Sequence, residues 1–466
     1  MGLSFGSPTS GQGFDVTSTV NQIVTNLQAV ETPWKNQLTA LQSQDTALTS
    51  IGTDLSSLAT ALQSLTDFQG TFSGKEGSSS DTSVVALMNA TSAAVAGTHT
   101  VVVSQTAKTY SYASGDLGAN DILKGTLTIA GRTITISDGT AKDGSGNIIP
   151  QNNTLSTLAS YINQGDYGVQ ANVVADASSA KLTLVSDTSG GAGAVTINSS
   201  GLTDSTASTA VSITQAQKGQ DAGFSVDGVS MASSSNTVTT AIPGVTMQLL
   251  SAPAGNSVQV EITNNNSQVE SDISTFVTAY NKVIGDLNSQ EGNNSSGTAE
   301  PLFGNATVAM LQETLQQAMN FTQPSGSVTS LAQLGITAST SYNGTLTLNT
   351  ATLDSMLNSN YQDVTNFFQP SGSVMTFGKN MTTALNNLGN SSPQGAIYLA
   401  LKQNSSQETA LNDNISNQET LITAQKQELT TELNAANFTL QQIPQQIQYV
   451  DELYSAISGY NQNRNG

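Results

Sequence analysis

Cysteine is absent from this 466-residue chain, which excludes disulfides, thiolate metal sites and a cysteine nucleophile. Histidine occurs once, which argues against a histidine metal site or a histidine-based triad. Lysine and arginine together number 13 against 33 aspartates and glutamates, a formal net charge of −20. With so few cations and no basic run, nucleic acid and anionic membrane surfaces are poor partners. No run approaches 18 apolar residues, so no segment reads as a membrane span. Met1 to Gly13 has no lysine, no arginine and no apolar stretch, unlike a Sec signal peptide. Charged residues make up only 10% of the chain, and Ser, Thr, Asn, Gln and Gly solvate it instead. That composition suits a cytoplasmic protein, and equally one exported unfolded through a narrow channel.

What is present begins with length, enough for about three domains that each bury a core. The last long stretch, Ala396 to Tyr460, carries an apolar column at every seventh residue: Ile415, Ile422, Leu429, Ala436, Ile443, Val450 and Ile457. A second column holds Leu433, Leu440, Ile447 and Tyr454, but reads Glu419 and Lys426 upstream, where the stripe is narrower. Such columns predict a helix that buries a seam against other helices. Pro444 interrupts it, because proline removes an amide donor and crowds the carbonyl four residues back.

The opening stretch answers in kind. Asp15 is placed to cap a helix bearing Val16, Val20, Ile23, Leu27 and Val30. Thr32-Pro33 reads as a fresh start, with Thr as cap and Pro at the first helical position. Trp34, Leu38, Leu41, Leu48, Ile51, Leu55, Leu58, Leu62 and Leu65 continue the stripe, and Trp34 reads as core or interface. An antiparallel pairing with both termini at one end sets Phe14 near Gln462, Leu65 near Leu411, and Pro33 beside Ile443 or Pro444. Both breaks then share one level. Pro33 and Pro444 are therefore expected to form a hinge between a terminal module and a helical body.

Between these helices the period changes. Gly70 to Thr82 reads as a linker or loop. Short β-branched runs follow at Val84–Met88, Thr100–Ser104, Thr126–Ala130, Thr133–Ser137, Val169–Val174 and Leu182–Ser186, with a helix at Leu155–Asn163. Further runs end near Ile262, and helices resume after Asn264. Tyr342-Asn343-Gly344-Thr345 signals a hairpin with a type I′ turn. The expected fold is multidomain α+β: terminal helices in an antiparallel coiled coil or bundle, with nested β-rich domains between. The expected boundaries are 1–33 with 443–466 for the terminal segment, 34–69 with 264–442 for a helical leg, 70–113 with 214–263 for a β domain, and 114–213 for a second β domain inserted in it.

Motifs of chemistry are scarce. His99 has no acidic or serine partner in its local sequence. Asp143, Ser145 and Asn147 could open a calcium loop, yet Ile148 and Thr154 stand where the glycine and the bidentate glutamate belong. The Gly190-Gly191-Ala192-Gly193 run lacks dinucleotide spacing, and no P-loop, nucleophile elbow or metal-spaced carboxylate pair occurs. No cofactor and no enzymatic activity is expected.

Gly13-Phe14-Asp15-Val16-Thr17-Ser18-Thr19-Val20 and Ala96-Gly97-Thr98-His99-Thr100-Val101-Val102-Val103 are, in this order, motifs that resemble the flagellar hook-associated protein 2 family, the filament cap proteins. Tyr161-Ile162-Asn163 is similar to a flagellin hook repeat, together with Gly125–Ile136 and Leu182–Ser186. Further matches are Val226-Asp227-Gly228, Ser235-Asn236-Thr237-Val238, Ile242-Pro243-Gly244-Val245, Phe276-Val277-Thr278-Ala279-Tyr280-Asn281 and Leu334-Gly335-Ile336. The resemblance implies an extracellular ring of subunits, usually five, at the distal flagellar tip, exported by the flagellar type III route. It implies a β plate over the channel and helical legs on the filament. The partners it implies are flagellin, the hook-filament junction protein and, before secretion, an export chaperone. Docking through Val16, Val20, Ile23, Leu27, Val30, Leu433, Leu440, Ile443, Ile447, Val450, Tyr454 and Ile457 is expected, because neither terminal stripe is satisfied by one helix. A tip-exposed adhesin is the alternative.

Overall fold

The structure, a computed structural model, describes residues 13–341, 343–369, 372, 374–389 and 392–462. It is multidomain α+β. Helices α1 (Val16–Gln28) and α2 (Glu31–Thr66) open it, and α3 (Leu155–Gln164) lies in the β-rich middle. Five more follow: α4 (Asn266–Gln290), α5 (Ala306–Met319), α6 (Thr350–Phe368), α7 (Phe377–Leu388) and α8 (Ala396–Gln462). The chain divides into two compact units, Met1–Asp67 with Glu270–Gly466, and Phe68–Val269. The expected terminal segment and helical leg thus fall in one unit.

In the helical unit, α2 buries Leu48, Ile51, Leu55, Leu58, Leu62 and Leu65, the stripe its sequence predicts. Phe367 stacks on Phe377 at 5.2 Å, and Phe276 and Phe368 meet Phe377 edge-on at 6.0 and 5.6 Å. Such pairs add to the burial of the rings themselves. Gly378 permits this approach, since a methyl there would overlap the Phe368 carbonyl. Burial pushes the Tyr280 hydroxyl up to about 12. The hairpin of Ile336–Ala338 with Leu346–Leu348 forms, but its connection runs from Ser339 to Thr345 rather than through a two-residue turn. Tyr342 lies outside the described residues.

The β unit holds two cores. One lies between a five-stranded sheet, ordered 75–79, 257–264, 97–105, 222–226, 229–233, and a three-stranded sheet of 237–238, 245–249 and 85–90. The other joins α3 to a sheet ordered 213–217, 109–114, 180–189, 169–175 and to a second sheet built around Leu123–Ile129. Gly70 to Thr82, expected as a linker or loop, contains a strand. Lys75–Ser79 is an edge strand paired with Ser257–Asn264 through its backbone, so it needs no apolar alternation to form. The expected boundary at 113 and 214 falls inside the ladder of Thr109–Ser114 with Ile213–Gln217, and Tyr110 and Tyr112 belong to the inserted core.

Three motif asparagines do the same work. Each side-chain amide donates to the carbonyl and accepts from the amide of one residue, as a paired strand would. Asn163 holds Ala171 at 2.8 and 2.7 Å, Asn236 holds Ala107 at 3.0 and 2.7 Å, and Asn281 holds Leu346 at 2.8 and 2.7 Å. Buried or half-buried backbone groups need such partners.

Candidate assembly interface

The candidate interface is built on α1, α2 and α8. Asp15 caps α1 by accepting from the Ser18 amide at 3.0 Å, as its sequence predicts. Ala29 and Val30, between α1 and α2, keep right-handed helical angles, so the two helices are nearly one. Thr32 is therefore no cap. Helix α2 starts at Glu31, and Pro33 sits third, still within the turn whose amides lack helical partners.

Three polar contacts mark the antiparallel register against α8. The Phe14 amide donates to Asn437 Oδ1 at 2.9 Å, Lys35 Nζ lies 3.5 Å from Glu419 Oε1, and Asn404 Nδ2 donates to Asp45 Oδ1 at 2.7 Å. Phe14 thus meets Asn437 rather than Gln462, a displacement of about 25 positions, or roughly 37 Å along a helix. The expected hinge level is overturned with it. Pro33 lies near the Lys35–Glu419 contact, and Pro444 lies beyond the Phe14–Asn437 contact. Helix α8 runs through Pro444 as a single element. A seven-residue apolar repeat fits several registers, so the columns alone do not choose among them.

That register divides the expected interface residues. Val16 and Val20 are buried, Ile23 and Leu27 half-buried, and Val30 is exposed. On α8, Leu433, Leu440, Ile443 and Pro444 are half-buried. Farther along, Ile447 is 42%, Val450 65%, Tyr454 73% and Ile457 58% exposed. Two further apolar residues, Tyr449 and Leu453, are also exposed there. They lie beside the heptad columns, so column counting missed them; the i, i+4 spacing of Tyr449 and Leu453 was the available signal. Together they widen the stripe to about half the helix circumference at 100° per residue, more than the narrow seam one partner helix covers.

Elsewhere the chemistry is self-contained. His99 does have an acidic partner, brought by the fold: its Nδ1 lies 2.7 Å from Asp227 Oδ2. Asp227 also accepts the Thr100 amide at 2.8 Å and takes a positive φ of 48° before Gly228. The Asp143 carboxylate is occupied by its own loop, accepting from the Ser145 and Asn147 amides at 2.9 and 2.8 Å. Among the described residues, no group of three or more His, Asp or Glu could hold a metal ion, and no helix is long and apolar enough to cross a membrane.

The sequence profile of the flagellar hook-associated protein 2 N-terminus matches residues 12–110, and that of its C-terminus matches residues 219–446. The B-type flagellar hook-associated protein 2 of Pseudomonas aeruginosa is 28% identical over 293 residues, 58% of this chain and 60% of that relative. The A-type protein of Pseudomonas aeruginosa is 28% identical over 313 residues, 61% of this chain and 63% of that relative. The chain therefore spans less than two thirds of the length of either. Domains of the flagellar cap protein from Escherichia coli superpose with a TM-score of 0.52 at 22% identity, covering 77% of this chain and 99% of that one. That likeness is one of fold.

Proposed function

The chain belongs to the flagellar hook-associated protein 2 family, and from that premise we propose that it is the structural cap at the distal tip of a bacterial flagellum. The cap closes the export channel and promotes folding and insertion of flagellin beneath it. One observation carries the reading most directly. Helix α8 continues for about 25 residues past the Phe14–Asn437 contact, with an apolar stripe turned to solvent. An amphipathic helix with an open face is built to lie against other helices.

In this reading the stripe from Ile447 to Ile457 docks on helical ends of flagellin, or of the hook-filament junction protein before elongation begins. The β unit supplies the plate, and copies of the chain close into a ring, a pentamer. The protein is exported by the flagellar type III route, held beforehand by an export chaperone, and works outside the cell without catalysing a reaction. A tip adhesin has no observation of its own in its favour.

The test is complementation of a strain lacking its own cap. Val450→Asp with Tyr454→Asp should leave a folded protein that cannot retain flagellin, so filaments are lost and flagellin monomers collect in the medium. Normal filaments from that variant would refute the docking role.

A further inference from the structure

We infer that the register of the terminal helix pair, and so the stretch of α8 left open, is set by polar groups in the seam: Glu31 with Lys35 and Glu419, and Asp45 with Asn404. The Glu31 side chain is only 1% exposed, where the seam otherwise carries apolar residues. Its Oε2 lies 2.7 Å from Lys35 Nζ, and among the described residues its buried Oε1 has no hydrogen-bond partner. The same lysine reaches Glu419 on α8. Asn404 is 9% exposed and donates to Asp45 across the pair.

Apolar columns repeating every seven residues accept a slide of one repeat, whereas these groups do not. A slide of seven positions one way sets Lys35 opposite Lys426 and Asp45 opposite Leu411. A slide the other way sets Asp45 opposite Ile397. Leu411 and Ile397 are both buried, so either slide presses an aspartate against core. A buried charge without its partner is strongly unfavourable, and buried polar groups are best attested as devices of register. The second oxygen of Glu31 marks such a group, placed for specificity at the expense of stability. One repeat is about 10 Å of helix, which would expose or hide two turns of the stripe. The importance of that stripe rests on the docking role proposed above; the register does not.

The experiment uses the full chain, whose lack of cysteine makes site-specific labelling unambiguous. Nitroxides at Asn21→Cys and Gln441→Cys, on exposed positions of α1 and α8, report register as an electron-spin distance. The parent should give one distance. Glu31→Leu with Asp45→Leu and Asn404→Leu should remain helical and give a second population displaced by about 10 Å. A single unchanged distance in a folded variant overturns the inference. If the leucine variant does not fold, the isosteric Glu31→Gln with Asp45→Asn decides: a broadened distribution supports the inference and an unchanged one overturns it. Filament assembly by the same variants separates the two readings. Shifted register with normal filaments refutes the docking role alone, and unshifted register refutes this inference alone.

Discussion

Asn437 accepts the backbone amide of Phe14 at 2.9 Å, across 423 positions of sequence. Gly13 makes this approach possible, because a methyl at that position would overlap the Asn437 side chain. The contact marks where the described N-terminal chain meets α8, and the next turn of α1 buries Val16 and Val20.

Gly13→Ala should therefore push Asn437 aside and fray the start of α1. We expect faster amide exchange from Val16 to Ile23 and no change around Leu48 to Leu65. Helices as short as α1 are marginal without a packing partner. Unchanged exchange at Val16 and Val20 would show that the Asn437 contact anchors nothing.

Substitutions along the helical unit should separate its core from the exposed stripe of α8. Leu58 is 0% exposed, and Leu58→Ala should cost about 2–5 kcal/mol, the range for a deleted core side chain. Val450 is 65% exposed, and Val450→Ala should stay within about 0.5 kcal/mol. Denaturant midpoints of the two variants would show it. A comparable loss in Val450→Ala would mean that its stripe is already covered in the isolated chain.

The sequence made elements legible wherever a period had one meaning. The α2 stripe, the Asp15 cap and the strands around Val101, Val226 and Val260 follow from local pattern. Lys75–Ser79 escaped notice because an edge strand is held by its neighbour's backbone and needs few apolar residues. The register escaped because the pairs that mark it, such as Asp45 with Asn404, lie 359 positions apart. His99 looked solitary for the same reason, since Asp227 arrives from a turn 128 positions away. The resemblance marked Asn163, Asn236 and Asn281, but only the fold shows that each stands in for a strand partner.

Asn281 tests that role. Asn281→Ala would leave the Leu346 amide and carbonyl without their partner, and an unmet buried backbone group costs about 1–3 kcal/mol. Asn281→Asp should also destabilise, because a carboxylate keeps the acceptor but turns an oxygen toward the Leu346 carbonyl. We expect loss of amide protection in the hairpin of Ile336–Ala338 with Leu346–Leu348 in both variants. Retained protection in Asn281→Asp would mean that the clamp is dispensable.

The Asp227 turn should make the β unit sensitive to acid. The hydrogen bond from His99, and next the Thr100 amide, hold the Asp227 carboxyl below the usual carboxylate range. A depressed carboxylate contributes stability above its unfolded value, about 3.9, and loses it as pH falls through the folded value. Asparagine tolerates the left-handed φ and still accepts from Thr100, so Asp227→Asn isolates the charge. The parent should exceed this variant in β-unit melting temperature at pH 6, with the gap closing below about pH 4. A gap that persists undiminished at pH 2 would assign the difference to shape rather than ionisation.

Pro444 concerns the open end of α8. Proline inside a helix removes the hydrogen bond to the Leu440 carbonyl and crowds it, at a cost of about 3 kcal/mol. Because Pro444 lies beyond the Phe14–Asn437 contact, that cost falls on the segment with the open stripe and spares the paired helices. Pro444→Ala should therefore raise amide protection from Gln445 to Ile457. The melting temperature of the helical unit should hardly move, since the exposed residues there bury little on folding. Docking adds a further consequence. If the stripe docks on flagellin as proposed above, a stripe already ordered before binding loses less entropy on meeting a partner helix, and the variant should bind flagellin ends at least as tightly as the parent. Weaker binding, with the helix more protected, would show that the interface needs α8 to bend at Pro444.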